Sequence, residues 1–337
     1  MTPPKYRRNQ GFSLIELLVA LAINLVIVSA AAYLYLGTAD SKRVLSQQQA
    51  LNENGQAALD LIGRDIVNAG FFPAVRSTNP LASSITVRVR PDGYTNVVAA
   101  QPAAYNSGVF GCSGQKFNGV TNVCEAHSTA TITADTIVVN YFTNDSMGLD
   151  VGQRIDCTRA DVAGAAENLT RASSVLGQAP KAPMLISNRY SLSSTTFSIE
   201  NQNIATLSLN CGGNNGQIPQ PSIAGIEDLQ FRYGVFTDAA TLQPSRFYVA
   251  SEMASLVDVN VDGVNKNAWG RVVSVEVCLV ARALQATKLT DTAGAVTPYV
   301  NCAGSSVTPN DKLARRTYRK IFAMRNNLTQ NIIPSAQ

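Results

Sequence analysis

The chain has 337 residues, of which 45% are hydrophobic and 15% are charged. This composition supplies a sizeable apolar core for one large or two small domains and excludes a disordered chain. The formal net charge is +4, but Lys5, Arg7 and Arg8 stand at the amino end, and without them 24 of the 27 basic residues face 23 acidic ones. The nearly neutral remainder lacks the overall charge of a nucleic-acid-binding protein.

The first predicted element is an apolar helix over residues 12–36. This run of 25 residues has only two strongly polar members, Glu16 and Asn24. As a helix it is long enough to cross the roughly 30 Å hydrocarbon core of a bilayer. A carboxylate in such a run costs on the order of 3 kcal/mol, so we expect Glu16 to have a functional partner. The basic residues before the run predict a cytoplasmic amino end and an exported remainder.

Two kinds of targeting segment fit this start. A secretory signal would end at a small-residue site such as Ala-Ala-Ala at 30–32, but that reading leaves Glu16 unexplained. The alternative is a short basic leader, residues 1–11, that ends in Gly11 and is followed by Phe12, with Glu16 as the fifth residue counted from Phe12. The stretch GFSLIE with the apolar helix behind it resembles the type IV prepilins and the type II secretion pseudopilins.

The resemblance implies how this segment is processed and used. A membrane peptidase would cut after Gly11, and the new terminal residue, Phe12, would be N-methylated. In the assembled filament, Glu16 would pair with the terminal amine of a neighbouring subunit, since two paired charges tolerate a low dielectric better than either charge alone. We therefore expect Glu16 to set the register between subunits.

After the span, residues 37–72 are predicted to continue the helix as an amphipathic segment. Its apolar residues recur at helical spacing, no proline occurs before Pro73, and Gly70 suits the helix end. The recurring residues are Val44, Leu51, Ala58, Ile62 and Ile66.

Residues 73–337 are predicted to form a β-rich globular domain, because the hydrophobic period changes to two. The strand segments are 84–90, 131–142, 195–200, 204–209, 226–236 and 271–282. Two sets of side chains are predicted to share a face: Leu229, Phe231, Tyr233 and Val235 in one strand, and Val273, Val275, Val277 and Leu279 in the other. The predicted fold class is α+β, a pilin-like long amino-terminal helix packed on one antiparallel sheet system.

Six cysteines follow the apolar run, and an even number in an oxidising compartment predicts disulfides. They are Cys112, Cys124, Cys157, Cys211, Cys278 and Cys302. Six cysteines allow 15 connectivities, and spacing ranks first the two short loops, Cys112 with Cys124 and Cys278 with Cys302, which leaves Cys157 with Cys211. No C-x-x-C pair occurs and His127 is the single histidine, so a cysteine metal site and a catalytic constellation are both disfavoured.

Two ligand-binding alternatives remain open. The string DVNVDG places Asp258, Asn260 and Asp262 like the first half of a calcium loop, although Trp269 stands where the closing carboxylate belongs, and a plain turn gives the same string. Near the end, Arg315, Arg316, Arg319 and Lys320 with interleaved aromatics fit either a DNA-binding patch or a solvated strand face. We favour the turn and the solvated strand, with no cofactor.

Four further segments resemble the PilW-type minor pilins: 58–72, 225–234, 269–282 and 315–327. Residues 91–220 carry no such resemblance. The resemblance implies a non-enzymatic minor pilin that primes type IV pilus assembly, sits at the tip and supports twitching motility and adhesion. Its implied partners are other minor pilins, the major pilin, the inner-membrane assembly machinery, the prepilin peptidase and a tip adhesin, with no nucleic acid.

The resemblance also implies a location and leaves a rival. The chain would be a single-pass inner-membrane protein with a periplasmic domain, and later a part of the pilus on the cell surface. A J-type minor pseudopilin of type II secretion shares the leader and the general plan, and a filament-borne module for DNA or calcium is the third hypothesis. The dipeptide Arg325-Asn326 near the end favours the pilus.

Overall fold

The computed structural model shows a long helix seated on two antiparallel sheets. It describes residues 13–71, 74–76, 86–88, 107–119, 121–129, 132–142, 156–159, 185–199, 201–213, 219–238, 240–261, 264–285, 298–311 and 313–328. Gly11, Phe12, Asp262 and the side chain of Val44 lie outside this described part.

Helix α1 runs without interruption from Leu14 to Asn68, 55 residues in all. At about 1.5 Å per residue it is roughly 80 Å long. The helix ends a few residues before the predicted position 72. Gly70 there has φ +70°, a left-handed conformation typical of the residue after a helix, and its N–H leaves the helix to bond the carbonyl of Asn140 at 2.9 Å.

The two halves of α1 have different surroundings. From Leu14 to Ala39 the helix is apolar enough to span a membrane, and none of that stretch is buried within the chain. The buried side chains begin at Leu51 and form a stripe that continues through Ala58, Leu59, Ile62 and Ile66. The apolar positions of the second half therefore fill the core of the domain, while those of the first half are left for another apolar environment.

The remaining elements are mostly strands. They are β1 (Ala74–Arg76), β2 (Thr86–Arg88), β3 (Val109–Cys112), β4 (Lys116–Asn118), β5 (Val123–Glu125), β6 (Thr136–Phe142), β7 (Leu185–Ile199), β8 (Gln202–Gly212), β9 (Gln220–Ala224), β10 (Ile226–Phe236), β11 (Pro244–Tyr248), β12 (Val259–Val261), β13 (Val264–Lys266), β14 (Val272–Arg282), β15 (Tyr299–Val300), β16 (Ser306–Val307) and β17 (Arg315–Ala323). Short 3-10 helices cover Ala250–Ser255 and Trp269–Arg271, and helix α2 covers Arg325–Leu328.

The predicted single sheet system is divided into two sheets. One has the order β11-β10-β14-β17, the other the order β3-β6-β7-β8-β9, and the described part also contains four two-stranded ribbons. Both sheets and the second half of α1 contribute to one hydrophobic core. The predicted α+β class, a long helix packed on antiparallel strands, is confirmed.

The chain passes from one sheet to the other at Gly225. Its N–H bonds the carbonyl of Leu207 in the five-stranded sheet, and its carbonyl accepts from the N–H of Arg282 in the four-stranded sheet. The residue has φ +78°, and a Cβ there would lie 2.6 Å from the carbonyl oxygen of Arg282. Glycine suits this position because it tolerates the positive φ and has no Cβ to clash with the carbonyl oxygen of Arg282.

Strand boundaries differ from the sequence prediction in both directions. In the segment 84–90 the described residues form β2, and the segment 131–142 begins its strand only at Thr136. The short strands predicted at 195–200 and 204–209 belong to a much longer hairpin, β7 with β8. Serine, threonine and asparagine alternate along that hairpin, so its apolar period is too weak to reveal the full length.

One predicted face is interrupted by a bulge. Val275, Val277 and Leu279 belong to the main core as expected, but Val273 packs in a separate cluster with Phe236, and Val272 takes the core position. The cause is a register shift, because Gly234 pairs with Ser274 while the next residue on its strand pairs with Val272. An extra residue on β14 turns the expected side chain away from the core.

The three disulfides join Cys112 with Cys124, Cys157 with Cys211, and Cys278 with Cys302, and no cysteine is free. These are the pairs that the sequence spacing ranks first. The Cα atoms are 5.6, 6.1 and 5.7 Å apart, within the ordinary range for a bridge.

Two glycines seat α1 on the edge of the four-stranded sheet. A Cβ at Gly55 would overlap the ring of Tyr318, and a Cβ at Gly63 would overlap the ring of Phe322. The two glycines are eight helical residues apart, about 12 Å, and the two rings are four strand residues apart, about 13 Å. Because the spacings match, each ring can pack on its own glycine. The helix and β17 are thereby fixed against sliding.

Gly63→Ala is expected to lower the free energy of unfolding by about 1–3 kcal/mol, because the ring of Phe322 must move to admit the methyl group. Gly37→Ala is the matched control, since Gly37 is also helical and a methyl group added there would have no neighbouring atom within 4 Å. Thermal unfolding of the full chain in detergent measures both. Equal melting temperatures for the two variants would contradict the proposed seating.

Candidate assembly site

The candidate site is the assembly surface of α1 together with the contacts that hold α1 to the domain. Large apolar side chains such as Leu14, Ile15 and Leu25 are more than two-thirds exposed along the span. Such a continuous apolar surface is stable only in lipid or against other apolar helices. It is the largest exposed apolar feature of the described residues, and it contains Glu16.

Glu16 lies in the first turn of α1 and takes part in a capping box. The backbone N–H of Ser13 donates to the Glu16 carboxylate at 3.0 Å, and the Glu16 N–H donates to the Ser13 hydroxyl at 3.3 Å. Both residues are exposed. The capping box is a second role for Glu16 that its position in the prepilin-like motif did not reveal, although the S-x-x-E spacing carries the signal.

At the other end of α1 a buried carboxylate links the helix to the five-stranded sheet. Asp65 accepts from the Tyr190 hydroxyl at 2.6 Å, from the Asn188 amide at 2.6 Å and from the Tyr141 hydroxyl at 3.2 Å. The backbone N–H of Cys157 donates to the side-chain amide oxygen of Asn188 at 3.0 Å. The segment that carries this disulfide cysteine thus helps to orient the Asn188 side chain. Sequence reasoning missed this cluster, because its members are far apart in the chain.

Burial raises the pKa of Asp65 above its ordinary value, although the three hydrogen bonds oppose the rise. The same burial raises the pKa of Tyr190, with the Asp65 charge as the next cause. A raised carboxyl pKa means that the folded state binds the proton more tightly than the unfolded state. The stability linked to this carboxyl is therefore complete at low pH and is lost as pH rises through the raised pKa.

Asp65→Asn is expected to remove this pH dependence, since asparagine does not titrate. The stability of the wild type relative to the variant should fall as pH rises from the ordinary aspartate value of 3.8. Melting temperatures of both chains over a pH series measure the difference. A difference that stays constant or grows with pH would show that the carboxyl pKa is not raised in the folded protein.

The end of α1 is capped by the last described turn of the chain. The side-chain amide of Asn326 donates to the carbonyls of Asn68 at 3.1 Å and Ala69 at 3.2 Å. The neighbouring amide of Asn327 donates to the carbonyl of Val272 at 2.7 Å. The dipeptide Arg325-Asn326, which the sequence offered only as a family resemblance, thus has a physical role in closing the helix.

The basic residues of β17 are engaged within the chain. Two of them face α1. Arg316 donates to the side-chain amide oxygen of Asn52 at 2.8 Å, and Lys320 lies 3.5 Å from the carboxylate of Asp60. Of the others, Arg315 lies 2.5 Å from a carboxylate oxygen of Glu227 and 2.6 Å from one of Asp311, and Arg319 lies 3.1 Å from Glu276. These four side chains have partners that a DNA phosphate would have to displace.

The acidic string after residue 257 forms a hairpin, β12 with β13. Asn260 is opposite Asn265, and its side-chain amide nitrogen donates to the side-chain amide oxygen of Asn265 at 3.0 Å. Burial lowers the pKa of the Arg271 guanidinium below its ordinary value. The negative charge of Asp258 opposes this decrease. Within the described residues no group of three or more acidic, cysteine or histidine side chains is placed to hold a metal.

His127 follows β5, and its Nε2 is 2.8 Å from the carbonyl oxygen of Ala134. That contact involves a backbone group and no nucleophile. Among the described residues, the histidine thus has a local structural contact.

Two segments of the chain match known families. Residues 6–32 match the Prokaryotic N-terminal methylation motif, which spans the end of the basic leader and the start of α1. Residues 196–326 match Type IV Pilus-assembly protein W, PilW, a range that includes β17 and ends at the capping Asn326. The first match defines the class, a type IV pilin-like protein.

Within that class, the second match confirms the resemblance predicted from the sequence: residues 196–326 and 6–32 together support a minor pilin of the PilW family. No curated protein matches the chain. Among solved structures, a type IV-like pilin, TTHA1219 from Thermus thermophilus, is 10% identical, covers 82% of this chain and 96% of its own, and has a TM-score of 0.33.

Proposed function

We propose that this minor pilin takes part in priming and assembling a type IV pilus, at its tip, and thereby supports twitching motility and adhesion. The observation that carries the proposal is the uncovered apolar half of α1, continuous with a half that is firmly docked on the domain. A neighbour that packs on the apolar half therefore fixes the position of the whole domain. The partners are other minor pilins and the major pilin.

The proposed route begins in the inner membrane with the amino end inside. The peptidase cuts after Gly11, Phe12 becomes the methylated terminus, and the apolar helix then moves from lipid into the helical core of the filament. Both environments are apolar, so the move exchanges lipid contacts for helix contacts without exposing the span to water. The docked domain remains folded throughout.

Deletion of the chain is expected to remove most surface filaments and abolish twitching, because the step that starts the filament is lost. Filament counts, a motility assay and an assay of secreted protein on the same strains measure this. A matched strain that expresses the unchanged chain restores both readouts. Lost secretion with normal filaments would instead support the type II pseudopilin role and overturn the proposal.

Glu16 is proposed to hold the terminal amine of a neighbouring subunit, and its capping box offers a way to test this. Glu16→Gln keeps a side chain that can complete the capping box but removes the charge, whereas Ser13→Ala weakens the cap and keeps the charge. We expect Glu16→Gln to reduce incorporation into filaments at least tenfold and Ser13→Ala to leave it within about twofold.

Incorporation is measured by immunoblot of sheared filaments against the membrane fraction. Cleavage after Gly11 in each variant is the control, since both residues lie close to the cleavage point. Normal incorporation of Glu16→Gln would show that the cap, and not the charge, is the function of this side chain.

A further inference from the structure

We propose that the outer edge of β17, over residues 319–323, binds an extended segment of a different filament subunit, which adds to the four-stranded sheet as a fifth strand. The edge and its accessibility are properties of the described residues. Only the identity of the partner as a filament subunit rests on the proposed function.

The hydrogen-bond pattern of β17 shows which backbone groups are available. The N–H of Met324 donates to the carbonyl of Val273, and the N–H of Ala283 donates to the carbonyl of Ala314. Hydrogen-bonded positions alternate in an antiparallel pair, so the even-numbered residues of β17 bond β14. The backbone groups of residues 319, 321 and 323 therefore point away from the sheet.

This edge is left open in the described part of the chain. β17 is the last strand of its sheet, and no described strand pairs with its outer side. Arg319, Ile321 and Ala323 are all exposed, and the apolar Ile321 is 55% exposed. A row of exposed N–H and carbonyl groups beside an apolar side chain is a template for strand addition.

The opposite edge of the same sheet lacks these properties. β11 begins with Pro244, and its pairing with β10 has a register shift beside Phe236. Proline and bulges are common ways to keep an edge from pairing. β17 contains no proline and its nine residues pair with β14 without a shift.

Charged side chains can also protect an edge, but those of β17 are occupied. Arg319 contacts Glu276 at 3.1 Å and Lys320 contacts Asp60 at 3.5 Å, so the chain itself supplies a counter-ion for each charge. The edge thus has regular geometry, an exposed apolar residue and neutralised charges. Of the usual protections, proline and bulges are absent from the described residues of this strand, and the charges beside Ile321 have counter-ions within the chain.

A groove adjoins the edge and receives one face of an added strand. It has a volume of about 730 Å³ and lies between α1 and β17, with Gly63, Val67 and Phe322 in its lining. Alternate side chains of a bound strand would project into this groove, whose lining also includes Asp60, Arg64, Asn68 and Lys320. Since α1 also carries the assembly surface, a subunit whose helix packs along α1 brings its own domain to the same side of the molecule.

The charges around the edge select a different subunit in preference to a second copy. Arg64 lines the groove and is exposed, as is Arg325 two residues after the edge, while Asp60 in the same lining is paired with Lys320. An apolar segment with acidic residues complements this surface. The other edge strand of the same sheet in a second copy is β11, which starts with proline and contains Arg246 but no acidic residue. Through β11, a second copy therefore offers a poor match in both backbone and charge.

The test places a photo-crosslinking amino acid at Ala323 of the full chain in cells that assemble filaments, with the same amino acid at Val257 as a control. Val257 is 84% exposed and lies outside the four strands of the sheet. The Ala323 probe is combined with either of two substitutions. Ile321→Pro removes the backbone N–H of residue 321, which points away from β14, and Ile321→Thr retains it. Ile321→Asp adds a repelling charge without altering the backbone.

We expect the Ala323 probe to crosslink to an extended segment of another subunit with a methylation-type amino terminus, identified by mass spectrometry. Ile321→Pro and Ile321→Asp should each reduce that product at least tenfold, and Ile321→Thr should leave it within twofold. Melting temperatures of the purified full chains verify that the variants fold. If Ile321→Pro does not fold, Ile321→Asp alone decides.

A product formed with a second copy, a product equal to that from Val257, or a product unaffected by the folded variants overturns the proposal. Filament counts separate this result from the proposed function. If deletion removes filaments while the crosslink is absent, the edge proposal fails and the proposed function stands. If deletion leaves filaments intact, the proposed function fails, and the crosslink still reports on the edge.

Discussion

The seating of α1 against the domain is the constraint on which the rest of the structure depends. It combines two glycines that admit the rings of β17, a stripe of buried aliphatic side chains and the buried carboxylate of Asp65. Each fixes a different motion: the rings prevent sliding, the stripe supplies the apolar contact, and the carboxylate joins the helix to the second sheet. Together they make a membrane-spanning rod and a folded domain into one body.

Electrostatics reinforces that seating. Lys320 and Asp60 join β17 to α1, and Arg315 with Glu227 joins β17 to β10. The Lys320–Asp60 pair is exposed and contributes about 1 kcal/mol or less, so its importance lies mainly in geometry. Both pairs also explain why a basic sequence at the end of the chain does not make a freely available basic surface. Charge read from sequence counts residues, whereas binding depends on which charges already have partners.

The sequence predicts the helix, the fold class and the family because these depend on local patterns. The apolar run, the leader and the spacing of Leu51, Ala58 and Ile62 are all visible within one window. The division into two sheets is not, since it depends on how Gly225 is bonded to strands on either side. The bulge at Val273 and the Asp65 cluster are likewise set by pairings between distant segments, which no periodicity records.

The cap on α1 has a consequence for the order of folding. The helix ends at Asn68, yet the amide that closes it belongs to Asn326, 258 residues later along the chain. Final docking of α1 must therefore wait until the segment that carries Asn326 is present and folded. Contacts over so long a separation form slowly. A chain that stops short of Asn326 thus has the apolar helix but lacks the side-chain amide that caps its end.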